Sequence, residues 1–182
     1  MMKTKTKLLA VALTAFILFI GVNANAQSFQ KGKLRFGIGA DGLIPVGNFS
    51  KSANFGLGIT PRLQYGLSKK VALTFTTGFY HFFPKDQVYN DGTLSYKYKW
   101  DLDLIPVKAG FKAFVTSNIY IGAEAGIGFQ VDNGGGDSKF MASGGAGYVT
   151  KHWDFGVRYE NFAGNGYRNG LIGLRVAYGF GL

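Results

Sequence analysis

Cysteine is absent from this 182-residue chain, and histidine occurs only twice. Without a thiol there is no disulfide framework, no thiolate zinc site, no cysteine nucleophile and no lipobox for a lipid anchor. Two histidines leave little for a metal centre. Acids are also scarce, 10 against 20 bases, for a net charge of +10, and there are only 4 prolines. What is abundant is glycine, with 28 residues, beside 17 phenylalanines and 10 tyrosines. Each glycine inside a helix costs about 1 kcal/mol relative to alanine, which argues against a helical bundle, and no strict Gly-X-Y period supports a collagen. An all-β chain rich in turns remains, with length for one domain.

The one long apolar run is at the start. Lys3, Lys5 and Lys7 precede an uncharged stretch at 8–22, and Ala24-Asn25-Ala26 follows as a small-x-small site. This is the pattern of a secretory signal peptide cut after Ala26. The fifteen residues of the run fall short of the ~20 that span a bilayer as a helix. Residues 1–26 are therefore read as a leader and 27–182 as the mature domain, which keeps +7 of the charge because the leader takes three lysines and no acid.

From Lys33 onward the sequence alternates with period two in eight segments, 33–42, 54–67, 71–83, 94–114, 118–131, 139–149, 153–162 and 170–182, separated by turn residues. Parity slips near Pro106, where a bulge is expected because proline cannot donate to the ladder. The connectors alternate between long (43–53, 84–93, 132–138 and 163–169) and short (68–70, 115–118 and 150–152). Long and short connectors thus gather at opposite ends, as in an up-and-down meander closed into a barrel.

Alternation alone leaves open whether the apolar face points in, as in a soluble barrel, or out, as in a membrane barrel. The polar face decides: it is glycine interleaved with single charges, such as Gly37, Gly39 and Asp41, or Gly156, Arg158 and Glu160. Small residues beside long charged ones suit a narrow eight-stranded lumen that side chains must fill. The other face carries aliphatic residues in mid-strand and aromatic ones toward both ends: Tyr96, Tyr98, Trp100, Tyr159 and Phe162 near the long loops, and Tyr65, Tyr148, Trp153, Tyr178 and Phe180 near the short turns. That is an apolar band between aromatic girdles.

The mature chain thereby resembles the small eight-stranded outer-membrane β-barrels, the OmpX-like proteins and the transmembrane domain of OmpA, over the leader's cut site, the eight alternating strands, the short turns and the final Val176-Ala-Tyr178-Gly-Phe180-Gly-Leu182. The resemblance implies an all-β, antiparallel, transmembrane barrel in the outer membrane. It further implies contact with outer-membrane lipid, assembly by the barrel-assembly machinery through the C-terminal strand, and a monomer whose long loops meet an unidentified extracellular partner. It specifies architecture and not activity.

The polar face places Arg35, Arg62, Lys97, Lys99, Lys108, Lys112, Arg158 and Arg175 in the lumen with Asp41, Asp101, Asp103, Glu124 and Glu160. Pairing among these thirteen is the expected structural role, since a buried charge without a partner is costly. The exposed loops are neutral overall, so the basic excess offers no clustered surface for nucleic acid. Other candidates are weaker. Gly37-Ile-Gly39-Ala-Asp-Gly42 fits G-x-G-x-x-G but runs into a loop instead of a helix. Asp101 and Asp103 have a glycosidase-like spacing but share a face with Lys97 and Lys99. His81 is on the outward face, and lipid A deacylases of similar size use such a histidine with a serine two residues on, where this chain has Phe83. His152 sits in a short turn. The stretch from Asp132 to Asp137 could hold calcium but is a single copy. No pattern calls for a cofactor. The leading expectation is a non-enzymatic barrel with a structural, envelope-integrity or adhesive role through its loops, ahead of a lipid hydrolase and of a small-solute channel.

The leader makes the first prediction. N-terminal sequencing of the protein recovered from outer membranes should start at Gln27, and its gel mobility should change on boiling. A soluble periplasmic product with no heat-dependent shift would reject the barrel.

Overall fold

A strand exposes unpaired backbone groups on both edges, and closing the sheet on itself is what removes the last edge. The computed structural model describes residues 31–85, 87–90, 95–98, 102–131, 138–164 and 167–181, with backbone alone at 87–90, 95–98, 164 and 167–169. Its elements are β1 (Leu34–Val46), α1 (Phe49–Ser52), β2 (Ala53–Gly66), β3 (Val71–Thr77), β4 (Phe79–Pro84), β5 (Gln87–Asn90), β6 (Ser95–Tyr98), β7 (Leu102–Phe114), β8 (Ile119–Val131), β9 (Ser138–Val149), β10 (Trp153–Gly164) and β11 (Tyr167–Gly181). β3 and β4 are one barrel strand in two pieces, because Arg62↔Thr76 and Ile59↔Phe79 preserve a single register across Gly78. Eight antiparallel staves follow one another in chain order, and β1 closes the barrel by pairing with both β2 and β11. β5 and β6 form a separate hairpin at the long-loop end.

Gly78 interrupts its strand for a steric reason. Its φ is +155°, and a Cβ there would run into the carbonyl oxygen of Ile59 and come within 2.8 Å of the Thr60 Cα. A side chain at this crossing would push β2 and β4 apart.

The exterior is apolar and the interior charged. Ile59 is 64% exposed, while Lys108 is 1% and Glu160 0% exposed. Ile38, Leu57, Phe75, Ile121, Val157 and Leu174 share the exterior with Ile59. In water this arrangement would expose a large apolar surface and bury charges at once. In a bilayer it satisfies the backbone by closure and gives the hydrocarbon an apolar wall.

Several boundaries differ from the sequence reading. β1 continues through Val46, so 43–46 is strand and not loop: Leu43 and Pro45 extend the inward parity of Asp41, and Ile44 extends the outward one. β10 and β11 extend to the pair Gly164↔Tyr167, which leaves a two-residue hairpin connection where seven residues of loop were expected. The parity slip at Pro106 does not occur. β7 keeps one register from Asp103↔Val131 to Phe114↔Tyr120, with Leu104, Pro106, Lys108 and Lys112 all inward. The sequence misleads here because leucines near the long loops also serve the interior, and parity was assigned on the premise that apolar meant outward. Phe162 is inward for the same reason, 5% exposed and outside the girdle.

These inward apolar residues form a plug. Leu43, Phe49, Tyr80, Phe82, Leu104, Met141, Phe162 and Leu171 cluster at the long-loop end. α1 supplies Phe49, whose ring meets Phe82 at 5.0 Å and Phe162 at 6.1 Å. Gly47 turns the chain into this helix with φ +63°, and the Lys85 Nζ donates to the Ser50 carbonyl at 2.7 Å. A smaller cluster of Ala72, Phe114, Tyr120 and Val149 closes the short-turn end.

The inverted wall predicts the response to a charge on it. Ile59→Lys should destabilise the barrel in detergent or lipid by about 2–4 kcal/mol, and Asn54→Lys at the rim by about 1 kcal/mol or less. Urea titration followed by the heat-dependent gel shift measures both. Equal, negligible effects would mean that the apolar face is not lipid-facing.

Candidate functional site

Between the two apolar clusters lies the charged lumen, whose charged groups come from inward positions of six of the eight staves and whose hydroxyl partners bring in a seventh. Asp41 on β1 accepts from the Arg158 Nη1 at 2.7 Å and the Arg175 Nη1 at 3.4 Å, and also from the Thr60 hydroxyl. Glu160 on β10 accepts from the Lys108 Nζ at 2.7 Å and the Arg158 Nε at 2.9 Å. The Arg158 Nη2 donates to the Tyr80 hydroxyl at 2.9 Å, so all three of its nitrogens are engaged. Glu124 on β8 accepts from the Arg62 Nη2 at 3.1 Å and the Thr76 hydroxyl at 2.8 Å, with the Lys108 Nζ at 3.9 Å. Nearer the short turns, Asp154 pairs with Lys112 and accepts from the Tyr120 hydroxyl at 2.6 Å. The Lys112 ammonium also stands 3.9 Å from the centre of the Tyr120 ring, close enough for a cation–π contact.

Glycine makes room for these long side chains. A Cβ on Gly39 would collide with the Arg175 guanidinium, and one on Gly173 would lie 2.9 Å from the Arg158 Cζ. On Gly179 it would be 2.6 Å from the Arg35 Nε, and on Gly147 it would overlap the Tyr120 ring. Each large side chain thus lies across a position on another strand that lacks one. This matching of small to large inside a narrow barrel is what the glycine-rich face of the sequence encodes.

Of the thirteen charges expected in the lumen, Asp41, Arg62, Lys108, Lys112, Glu124, Arg158, Glu160 and Arg175 meet there. Arg35 is partly buried at the short-turn mouth, where its Nη1 lies 3.5 Å from the Thr150 carbonyl oxygen. Lys99 and Asp101 lie outside the described residues, as does the side chain of Lys97. Asp103 is a correction: it points outward and meets the His81 Nδ1 at 2.6 Å, because unbroken register on β7 gives it the parity of Ile105. The spacing to Asp101 therefore does not describe a pair inside the lumen. Asp154 was missed and belongs to the network. It shares parity with Arg158 and Glu160 and is buried where β10 leaves the short turn. Tyr80, Tyr120, Thr60 and Thr76 were also missed, since parity alone does not distinguish a hydroxyl that bonds from one that fills space.

The remaining candidates resolve structurally. Gly37 and Gly39 are strand residues of β1, which continues to Val46 with no helix opening after Gly42. The His152 ring stacks on Tyr178 with centroids 5.5 Å apart. Residues 132–137, the proposed calcium loop, lie outside the described residues. Lys31, Lys33, Lys69, Lys70 and Lys151 are exposed around the short-turn rim.

No protein-family model and no curated protein sequence matches the chain. Solved structures do match. The crystal structure of Ail, the attachment invasion locus protein of Yersinia pestis, superposes with a TM-score of 0.57 at 14% identity, covering 83% of this chain and all of Ail. Ail in a phospholipid bilayer nanodisc gives 0.54 at 12% identity, covering 82% of this chain and all of that one. Neisserial surface protein A gives 0.50 at 16% identity, covering 81% of this chain and 97% of that one. The fold is that of a small outer-membrane barrel. In such a barrel the network above occupies the space that a wider one would leave to water.

Arg158 joins Asp41, Glu160 and Tyr80, so Arg158→Ala leaves two enclosed carboxylates short of a donor. The expected loss is about 3–5 kcal/mol, against at most ~1 kcal/mol for Lys69→Ala at the exposed rim. Urea unfolding in micelles reads both, and matching small losses would contradict the enclosed network.

Proposed function

We propose that the protein is a monomeric, non-enzymatic outer-membrane barrel whose role is structural or adhesive and is exerted at its long-loop end. The observation that carries this reading is the filled lumen. An apolar plug including Phe49, Phe82 and Phe162 stands above a paired network around Glu160 and Arg158, and Ala72, Phe114 and Val149 close the other end. A barrel filled in this way offers a solute no continuous path, which argues against a channel. The name of Ail, attachment invasion locus protein, supports an adhesive role by analogy of fold alone. Among the described residues, the elements available to a partner at this end are α1 with its flanking turn and the β5–β6 hairpin. Lipid would contact the apolar wall, and β11, the last strand, would engage the assembly machinery.

A lipid hydrolase would use the outer face. His81 hydrogen-bonded to Asp103 resembles the base and orienting acid of such a site, but the residue two on is Phe83, whose ring packs edge-on to His81 at 4.6 Å. A nucleophilic hydroxyl at that position is what the reaction needs.

Two measurements test the proposal. Planar-bilayer recordings should show no porin-sized steps, and cells carrying the barrel with residues 87–98 replaced by a short turn should bind less to extracellular matrix than cells with the intact barrel, at equal heat-dependent gel shift. Large stable conductance would replace the adhesive reading with a channel, and unchanged binding would remove the hairpin as its surface.

A further inference from the structure

The lumen's charges do not balance. Among the described residues, five enclosed cations, Arg62, Lys108, Lys112, Arg158 and Arg175, face four carboxylates, Asp41, Glu124, Asp154 and Glu160. Arg175 is the least well matched. It shares Asp41 with Arg158, at 3.4 Å against 2.7 Å for Arg158, and its other contacts are to the hydroxyl and carbonyl of Thr60, which are neutral. Arg175 is 4% exposed, and its Nε is buried with no hydrogen-bond partner. An enclosed guanidinium nitrogen without an acceptor is costly.

Beside it is a cavity. A space of about 40 Å³ is lined by Arg175, Arg62, Lys112 and Arg158, with Glu124 as its one carboxylate. Its other wall is the glycine-rich run of Gly122, Gly145 and Gly156, where strands β8, β9 and β10 place no side chains between the cations and the backbone. The volume has room for a monatomic anion. Phe111, Ala146 and Val157 complete the lining, so the wall is mixed, and its charged side is where a water or an ion would find polar partners. Arg62, Lys112 and Arg158 are each held by a carboxylate, Glu124, Asp154 and Asp41 with Glu160, so the cation left for an ion to complete is Arg175.

We propose that the barrel holds a resident halide-sized anion in this cavity, chloride in a cell envelope, accepting from the Arg175 Nε and neutralising the lumen's surplus cation. The anion is a structural ligand, bound on folding, and it completes the network without opening a path through it.

The test uses the intact folded barrel. Urea unfolding in micelles is followed at fixed ionic strength while sodium chloride replaces sodium gluconate, whose anion is too large for the cavity. Binding to the folded state alone should raise the midpoint by about 0.5 M urea for each tenfold rise in chloride above its dissociation constant. Arg175→Met should abolish that dependence, as should Ser143→Val, which fills the cavity without touching a charge. Lys151→Met at the rim should retain it. Crystals grown in sodium bromide should show an anomalous peak beside the Arg175 Nε. That diffraction experiment decides the matter on the unmodified chain should Arg175→Met fail to fold. An ordered water without anomalous signal, or a midpoint indifferent to chloride, would overturn the proposal.

Discussion

A carboxylate taken out of water persists as an anion only if donors reach it from several directions, and an eight-stranded barrel leaves them almost no space in which to do so. Glu160 shows how the constraint is met. It sits on β10, fully buried, and its partners come from β7 through Lys108 and from its own strand through Arg158. Arg158 then crosses to Asp41 on β1, and Asp41 ties in Thr60 on β2 and Arg175 on β11. Thr60 and Arg175 stand on the two staves beside Asp41, but the Lys108–Glu160 and Arg158–Asp41 links join staves that are not neighbours in the sheet, so the network braces the barrel through its interior while the backbone ladder braces it around the circumference.

Glycine is the second half of the same solution. Strands normally lose stability with glycine, yet Gly39, Gly173 and Gly179 each lie under an arginine that could not otherwise fit. The cost of a bare strand position is offset by the donor that it admits. Above this layer, Phe49 on α1, Phe82 on β4 and Phe162 on β10 close the long-loop end. Water is thus kept from the network at that end, and the plugged, braced barrel has little freedom to move inside.

The amphipathic pattern was legible throughout the chain because a strand reports its two faces at every second residue. Strand count, antiparallel order and the identity of the inner face all follow from that period together with the glycine-and-charge composition of one face. Most of the lumen's ionic set was legible as well, since Asp41, Arg62, Lys108, Lys112, Glu124, Arg158, Glu160 and Arg175 occupy that face. The errors of parity share one cause. Leu102, Leu104 and Phe162 are apolar yet serve the plug, and reading apolar as outward along β7 turns Asp103 inward; no local signal distinguishes a plug residue from a lipid-facing one, because both are hydrophobic.

Sequence by itself therefore determined a barrel with its charges inside, because closure and alternation are local and periodic consequences of the chain. Tertiary structure alone decided which charge meets which, that Asp154 belongs to the lumen, that His81 and Asp103 pair on the outer face, and that Arg175 lacks a full partner. Those contacts span separations such as the 117 residues between Asp41 and Arg158, and they depend on barrel register and stagger, which no single strand carries.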